Sequence, residues 1–325
     1  MLTFILRRFG LLIFTLFLTS VIVFAITQWL PGDPCRILLG REASQVQISQ
    51  CHADLGLDLP AWQQYVRWLG NLLRGDWGVS YSLREPALPA VLARLRNSSY
   101  IALLTLLFTV PIAILMGVWA GFNAQKPVDV AINTLTLGVV GLPEFVTGVV
   151  LIELLSFRLG KWLYPLTGWR GLPASSSIGL NSSFANAFPS LILPALTASL
   201  VLLAYLVRLT RAGVLAELRQ GYVRTAQLKG LPLSAVRFRH VLRNALLPTI
   251  TVIAISVGWL MSGLVVVENV FNYPGLGRLL VIAIERHDLP LLQLITMLTV
   301  TIFATANWTA DLLYASLNPR IRLGE

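Results

Sequence analysis

Residues 204–248 read AYLVRLTRAGVLAELRQGYVRTAQLKGLPLSAVRFRHVLRNALLP, and this stretch decides the fold. Apolar side chains recur in it three or four residues apart, which is the spacing of an amphipathic helix. Gly230 can adopt the left-handed conformation that ends a helix, and Pro232 has a backbone angle suited to the start of the next one. The stretch therefore predicts two helices joined by a Gly-Leu-Pro turn. Against one acid, Glu217, it sets eight basic residues: Arg208, Arg211, Arg219, Arg224, Lys229, Arg237, Arg239 and Arg243.

The composition is that of a membrane protein. Hydrophobic residues make up 56% of the 325 positions and charged residues only 12%, about half of the roughly 25% typical of soluble proteins. The net charge of +10 could indicate nucleic-acid binding, but the basic residues lie between apolar segments and no groove-reading motif accompanies them. We therefore assign the charge to membrane orientation and anionic lipid headgroups, and we expect no nucleic-acid partner.

Six apolar runs are long enough to cross a bilayer as a helix, which takes about 20 residues. Only the third run contains charged residues, Glu144 and Glu153. Arg7 and Arg8 before the first run could begin a signal peptide, but that run is too long and ends in bulky residues without a cleavage pattern. The sequence thus predicts an all-α protein with six transmembrane helices. The runs are Phe9 to Leu30, Ser98 to Phe122, Val130 to Phe157, Phe188 to Val207, Ala245 to Val267 and Leu289 to Ala310.

An even number of spans places both termini on one side of the membrane. The basic loop 208–248 falls on that side together with Arg7, Arg8, Lys126, Arg320 and Arg322. Positive charge favours the cytoplasmic side, so we expect both termini there. Segments 31–97, 158–187 and 268–288 are then external.

Segment 31–97 is rich in acids and turn residues, and we expect it to form a small external cap after the first helix (1–30), with a five-helix core over 98–325. Ala61 to Leu73 carries Trp, Tyr and Leu at helical spacing, which predicts an amphipathic helix lying on the membrane surface or on the bundle. Cys35 and Cys51 are the only cysteines. An oxidising compartment would permit a disulfide between them; two free thiols are the alternative.

Pro143 and Glu144 lie inside the third run and are candidate residues of the transport pathway. Proline frees a backbone carbonyl, so it either kinks the helix or opens it toward a water-filled cavity. A glutamate is costly in a membrane unless it faces the bundle interior, a partner or an interface. In one continuous helix Glu153 would lie about half a turn away from Glu144, so at most one of them could face a central pathway.

The chain contains no phosphate-binding loop of the G-x-x-x-x-G-K-[ST] type, so it is not an ATPase. His52, His240 and His287 are scattered over three loops without metal-ligand spacing, and we expect neither a metal site nor catalytic residues. Two other functions are open on these grounds. A secondary transporter could use Glu144 and Glu153 as ion sites, although no inverted repeat is evident. An intramembrane enzyme would need paired reactive groups, which the predicted offset of the two glutamates disfavours.

Ordered motifs along nearly the whole chain resemble those of binding-protein-dependent ABC importer permeases of the dipeptide, oligopeptide and nickel family. Two lie in the basic loop: Arg224-Thr225-Ala226 followed by Gly230, and Leu247-Pro248. The others are Pro31-Gly32-Asp33-Pro34, Gly75-Asp76-Trp77-Gly78-Val79-Ser80, Tyr205-Leu206-Val207-Arg208-Leu209-Thr210-Arg211, Phe271-Asn272-Tyr273-Pro274-Gly275-Leu276-Gly277-Arg278, and Asp311-Leu312-Leu313-Tyr314-Ala315 with Asn318-Pro319-Arg320-Ile321-Arg322.

The resemblance implies a type I importer permease fold in the inner membrane. It also implies a homologous second permease subunit, an external solute-binding protein and two ATPase subunits. ATP and magnesium would be bound by those ATPases, with no cofactor in this chain. The ATPase-coupling residues carried over are Arg224, Thr225, Ala226, Gln227, Gly230 and Leu231, although Arg224 and Thr225 stand where the wider superfamily has Glu and Ala. The implied substrate is a peptide or peptide-like solute, with nickel or metallophore complexes as the alternative.

Overall fold

A computed structural model describes residues 2–29, 33–40, 42–176 and 178–317, without side-chain detail for 2–4, 316 and 317. The predicted motif residues Pro31 and Gly32 lie outside these ranges, as does the motif from Asn318 to Arg322 with its basic residues Arg320 and Arg322. The described residues are mostly helical. No strand occurs among them, only one isolated bridge between Val79 and Pro86.

The first third of the chain is one long helix followed by the cap. Helix α1 spans Leu2–Trp29, and the cap contains α2 (Pro34–Leu39), α3 (Gln45–Leu55) and α4 (Ala61–Leu73). The side chain of Asp33 caps α2 by accepting a hydrogen bond from the Cys35 amide, and Ser44 forms a reciprocal capping box with Gln47 on α3. Such caps satisfy the free amides of a helix N-terminus.

The middle of the chain supplies the core. Its helices are α5 (Ala87–Phe122), α6 (Pro127–Val140), α7 (Glu144–Leu151), a π-helical segment (Ile152–Arg158), α8 (Leu159–Thr167) and α9 (Phe184–Leu218). Helices α5 and α9 pack closely because glycines face the contact: a Cβ at Gly117 would lie 2.6 Å from the Cβ of Thr210, and one at Gly121 2.7 Å from Val214. Small residues at such positions let membrane helices approach one another.

The remaining helices complete the bundle. They are α10 (Gly221–Leu228), α11 (Leu233–Ala235), a second π-helical segment (Val236–Val241), α12 (Leu242–Ala245), α13 (Leu247–Gly263), α14 (Val265–Val270), α15 (Leu276–Glu285) and α16 (Leu289–Leu317). Helix α16 runs antiparallel to α1: Arg8 pairs with Asp311 at 2.7 Å near one end, and Gln293 donates a hydrogen bond to Thr27 at 2.8 Å near the other. The start of α1 and the end of α16 are therefore on the same side.

Four of the described helices, α1, α5, α9 and α16, are each long and apolar enough to cross a membrane, and the number rises to six if each of two bent pairs counts as one span. This confirms an all-α membrane protein. The third predicted run is not one straight helix, because α6 and the segment from Glu144 to Thr167 meet at 103°. Pro143 cannot donate the amide hydrogen bond that would continue α6. The pair 233–245 and 247–263 bends by 42° at the break between them, just before Pro248.

Two helices extend well beyond the predicted apolar runs. Helix α5 begins at Ala87, inside the segment assigned to the cap, and α9 continues to Leu218, inside the predicted basic loop. Both extensions contain arginines, and a prediction from hydropathy alone ends a membrane span at such charged residues. Buried contacts hold these extensions in helical form, since Ala87 and Val91 at one end and Val214 at the other are fully buried.

Candidate functional site

Helix α10 and the turn after it form the centre of the basic segment, and the predicted break is present. The helix ends at Leu228, Gly230 has a φ of +75°, and the chain becomes helical again at Leu233, directly after Pro232. A φ of this sign favours glycine. A Cβ on Gly230 would meet nothing within 4 Å, so its backbone conformation, and not close packing, requires glycine here.

The inner face of α10 is fixed to the rest of the chain. Val223 and Ala226, one helical turn apart, are buried in a small apolar cluster with Val214 of α9 and with Val236, Val241 and Ala245 of the following segment. Gly213 lies against the same segment, because a Cβ there would be 2.5 Å from the carbonyl oxygen of Ala245. Helix α10 is therefore packed onto the π-helical segment Val236–Val241, which together with α12 contacts the end of α9, and it does not hang free as a loop.

The outer face of α10 is exposed, and it contains most of the predicted coupling residues. Arg224, Thr225, Gln227, Gly230 and Leu231 are all exposed. Ala226 differs from the prediction: it is only 8% exposed and contacts the chain's own cluster, because the helical repeat places it on the same side as Val223.

The sequence interpretation missed two strongly exposed apolar residues beside the Gly230 turn. Leu228 is 81% exposed and Leu233 61%, on either side of the Gly230 turn. Together with Leu231 they form an apolar surface, which we call the 228–233 surface. Apolar side chains this exposed, with basic residues around them, are typical of a protein contact. In the sequence, these leucines could have been identified as a contact surface by their position at a helix–turn–helix junction between Arg224 and Arg237.

A buried ion pair ties the same end of α9 to α6. Arg211 donates from Nε and Nη2 to the two carboxylate oxygens of Asp129, the latter bond being 2.7 Å long. The Asp129 side chain is 3% exposed, and it also accepts hydrogen bonds from the Gln125 amide at 2.9 Å and the Asn133 side chain at 2.7 Å. This network joins α6 to α9 through two residues, Asp129 and Arg211, that are 82 positions apart in sequence. It is a positioning contact that no local pattern in the sequence indicated.

The predicted pathway residues lie at the sharp break between α6 and α7. Pro143 precedes α7, and Glu144 is its half-buried first residue. Among the described residues no side chain forms a hydrogen bond or an ion pair with Glu144. One turn further along the same face of α7, Gly148 packs inward, and its added Cβ would contact Val270 at 3.2 Å.

The two glutamates differ in their surroundings: Glu144 is half-buried and Glu153 is exposed, and the helix changes from α to π at Ile152, between them. Glu153 lies in the π-helical segment and forms an exposed ion pair with Arg158, at 3.0 Å and five residues away. Positions five apart do not face each other on an α-helix, whereas the i→i+5 hydrogen bonding of a π-helix brings them together.

The two cysteines of the cap are joined as proposed. Cys35 and Cys51 form a disulfide with their Cα atoms 5.8 Å apart, and it connects α2 to α3. Asp33 and His52 lie beside it, with His52 Nε2 2.8 Å from Asp33 Oδ1. The sulfur of Cys35 is bonded in the disulfide, so the group of Asp33, Cys35 and His52 does not offer a metal ion a thiolate ligand.

A buried carboxylate organises the opposite, cap-side end of the core. Glu268 is fully buried. It lies beyond Gly263, which is the last residue of the preceding candidate membrane span. It accepts hydrogen bonds from the Ser98 hydroxyl at 2.5 Å and from the Arg278 amide at 3.0 Å. Burial raises the pKa of Glu268 to about 7, although these hydrogen bonds oppose the shift. A Cβ on Gly275 would lie only 2.2 Å from its carboxyl carbon, so this glycine of the Phe271–Arg278 motif makes room for the carboxylate.

These features define a membrane transport subunit, and the sequence comparison gives its family. The profile described as binding-protein-dependent transport system inner membrane component matches residues 113–323, and the N-terminal profile of the same systems matches residues 1–103. The chain belongs to this family, whose members are transport subunits and not enzymes.

Individual relatives match over almost their whole length. The chain is 38% identical to the di/tripeptide transport system permease protein DppB of Pseudomonas aeruginosa (strain UCBPP-PA14), over 99% of each chain. It is 36% identical to the dipeptide transport system permease protein DppB of Escherichia coli (strain K12) and 34% identical to the glutathione transport system permease protein GsiC of the same strain, again over 99% of each chain.

Proposed function

We propose that the chain is one of two homologous permease subunits of an ATP-driven importer, and that its 228–233 surface receives the movement of an ATPase subunit. ATP and magnesium belong to the ATPases in this proposal, and a solute-binding protein delivers the substrate at the cap side. The family supports the machinery, since its members serve binding-protein-dependent transport.

The two faces of α10 carry the proposal. Its inner face is fixed to α9 through the cluster around Val223 and Ala226, while its outer face ends in the exposed Leu228. A push on the outer face therefore moves α9 as well. Rigid-body movements of this kind are a common route from a nucleotide-driven closure to a change of access across the membrane.

The proposed orientation places this surface and both termini in the cytoplasm. Arg8 lies near the N-terminus, and the 208–248 segment contains eight basic residues against one acid. Positive charge is retained on the cytoplasmic side of inner-membrane proteins. Antiparallel packing of α1 and α16 supports one common side for the two ends.

We propose short peptides, including glutathione-like tripeptides, as the substrate class, because the relatives named above are permeases for di/tripeptides, dipeptides and glutathione. Cells lacking this chain should lose uptake of labelled dipeptide, tripeptide or glutathione, and regain it when the chain is restored. If none of these uptakes depends on the chain, the substrate proposal is wrong.

Crosslinking tests the coupling surface. The two native cysteines are joined in the disulfide, so a Leu228→Cys variant has one free thiol. A photoreactive maleimide on it should capture an ATPase subunit in native membranes. Val46→Cys is the control, because Val46 is also an exposed apolar residue but lies in the cap. Capture of the ATPase equally from both positions, or from neither, would contradict the assignment.

A further inference from the structure

We propose that α4 is a monotopic membrane helix, whose exposed apolar stripe is immersed in the acyl chains of the leaflet on the cap side. Three residues of this helix are unusually exposed for their type: Trp62 is 66% exposed, Val66 59% and Leu73 77%. None of its 13 residues is buried. An apolar stripe of this kind needs an occupant that the chain itself does not supply.

The residues of α4 divide into three sectors around its axis, at ~100° per residue. Trp62, Val66, Leu69 and Leu73 fall within ~60° of one another and form the stripe. The residues that contact α1 are Gln64, Tyr65 and Trp68, and their sector is centred ~120° from the stripe. A polar sector, ~120° from each of the other two, completes the circle with Gln63, Arg67 and Asn71, and the C-cap residue Arg74 continues it.

The contact with α1 fixes where α4 lies. The Tyr65 hydroxyl is 2.9 Å from the Ser20 hydroxyl, the rings of Tyr65 and Phe24 are 5.4 Å apart, and Gln28 donates a hydrogen bond to Gln64 at 2.8 Å. All three α1 positions belong to the span Ile5–Trp29. Helix α4 therefore lies against a part of α1 that crosses the membrane.

The depth of this contact follows from the length of the span. Its 25 residues measure ~37 Å at ~1.5 Å per residue, about 7 Å more than the ~30 Å hydrocarbon core. Ser20 lies ~13 Å before Trp29, so it is ~6 Å inside the core even if all the excess protrudes on the cap side. The Tyr65 hydroxyl reaches that depth, and the backbone of α4 is no farther away than one side-chain length.

The surroundings of the other sectors agree with this placement. On the α1 side, exposed apolar residues of the span itself, such as Phe17 and Val21, lie on or next to the face of α1 that contacts α4. In contrast, Arg67 and Asn71 line a cavity of about 290 Å³ that also contains Asp54 and Asp76. The stripe thus continues a lipid-facing surface, while the polar sector faces water and the headgroups, as in interfacial helices with Trp and Arg on opposite faces.

Collision measurements on a nitroxide label test the proposal, because an engineered cysteine is the only free thiol in the chain. The labelled chain, with its accompanying subunits, is reconstituted in vesicles of phosphatidylethanolamine and phosphatidylglycerol. Labels at Val66→Cys and Leu73→Cys should collide often with oxygen, which concentrates in lipid, and rarely with a water-soluble nickel chelate. Arg67→Cys, on the polar sector, is the matched control and should show a several-fold lower ratio of oxygen to chelate collisions.

Each other outcome overturns the proposal. If Val66→Cys meets the chelate as often as Arg67→Cys does, the stripe lies in water. If both reagents are excluded from Val66→Cys, a protein covers the stripe. Trp62→Cys gives a third position on the stripe in case one variant does not fold. The result does not depend on the coupling surface, since α4 and α10 are at opposite ends of the bundle in the proposed topology.

Discussion

Arg211 of α9 holds the buried carboxylate of Asp129 with two nitrogens, and this pair fastens the start of the broken α6–α7 segment to the helix that precedes α10. One turn of α9 therefore contacts both the coupling region and the segment that leads to Glu144. The Thr210 hydroxyl, beside Arg211, is 3.2 Å from that of Thr249 in α13. Movement of α10 has a packed route into three helices.

The ion pair should respond differently to removal of its two members. Arg211→Met leaves the Asp129 charge buried with only amide donors, and breaking a buried pair in this way costs about 3–5 kcal/mol. Asp129→Asn should cost less, because the Arg211 side chain is 26% exposed and can turn to water. Thermal unfolding of the purified protein measures both. Arg208→Met, an exposed arginine on the same helix, should change stability by less than about 0.5 kcal/mol; equal losses at 208 and 211 would contradict the finding.

Gly213→Ala should loosen the contact between α9 and α12, and with it the apolar cluster that holds α10. The new Cβ would lie 2.5 Å from the Ala245 carbonyl oxygen, so the backbones must move apart. Overpacking of this kind costs about 1–3 kcal/mol. Gly138→Ala is the control, since a Cβ at Gly138 meets nothing within 4 Å. The melting temperatures of the two variants should differ, and a silent Gly213→Ala variant would exclude the close contact.

Glu268 should make stability depend on pH. Its pKa rises from 4.5 unfolded to about 7 folded, so the folded state binds more protons than the unfolded state in this window. The stabilisation that Glu268 gives the folded state is therefore present below the unfolded pKa and is lost as the pH rises through the folded pKa. Glu268→Gln should remove this slope when melting temperatures are compared across the window. Glu285→Gln, at an exposed position, should retain the slope of the native chain.

The half-buried Glu144 should influence which substrates pass, if the break at Pro143 lines the pathway. Glu144→Gln should reduce uptake of cationic peptides more than that of neutral ones, because it removes a negative charge without changing the shape of the side chain. Glu153→Gln should affect both classes equally, since Glu153 is exposed and already paired with Arg158. Uptake competition between a lysine-containing and a neutral dipeptide distinguishes these results. Identical profiles for the two variants would remove Glu144 from the pathway.

Hydropathy predicts most of this fold because a membrane span needs about 20 apolar residues regardless of its neighbours. The same rule missed the amphipathic ends of α5 and α9, whose arginines lie next to buried Val91 and Val214. Pro143 marked a perturbation in the third span. The 103° angle between α6 and the segment that begins at Glu144 depends on how α7 packs against distant helices, and the local sequence does not contain that information.

The candidate site was predictable to a similar extent. Gly230 and Pro232 predict the turn from backbone preferences alone, and the structure contains it. The burial of Ala226 was not predicted, because a short helix with few apolar residues does not reveal which side is covered. The contacts of Asp129 with Arg211 and of Glu268 with Ser98 connect residues 82 and 170 positions apart, so only the folded chain brings them together.

Substitution of Leu228 tests the central proposal most directly. Leu228→Asp places a charge on the 228–233 surface, and loss of a central interface contact should reduce substrate uptake and substrate-stimulated ATP hydrolysis about tenfold or more. The variant should still insert in the membrane, because Leu228 is 81% exposed, and Val46→Asp in the cap should retain native uptake. Native uptake and hydrolysis in Leu228→Asp membranes would contradict the proposal that this surface couples the permease to its ATPase.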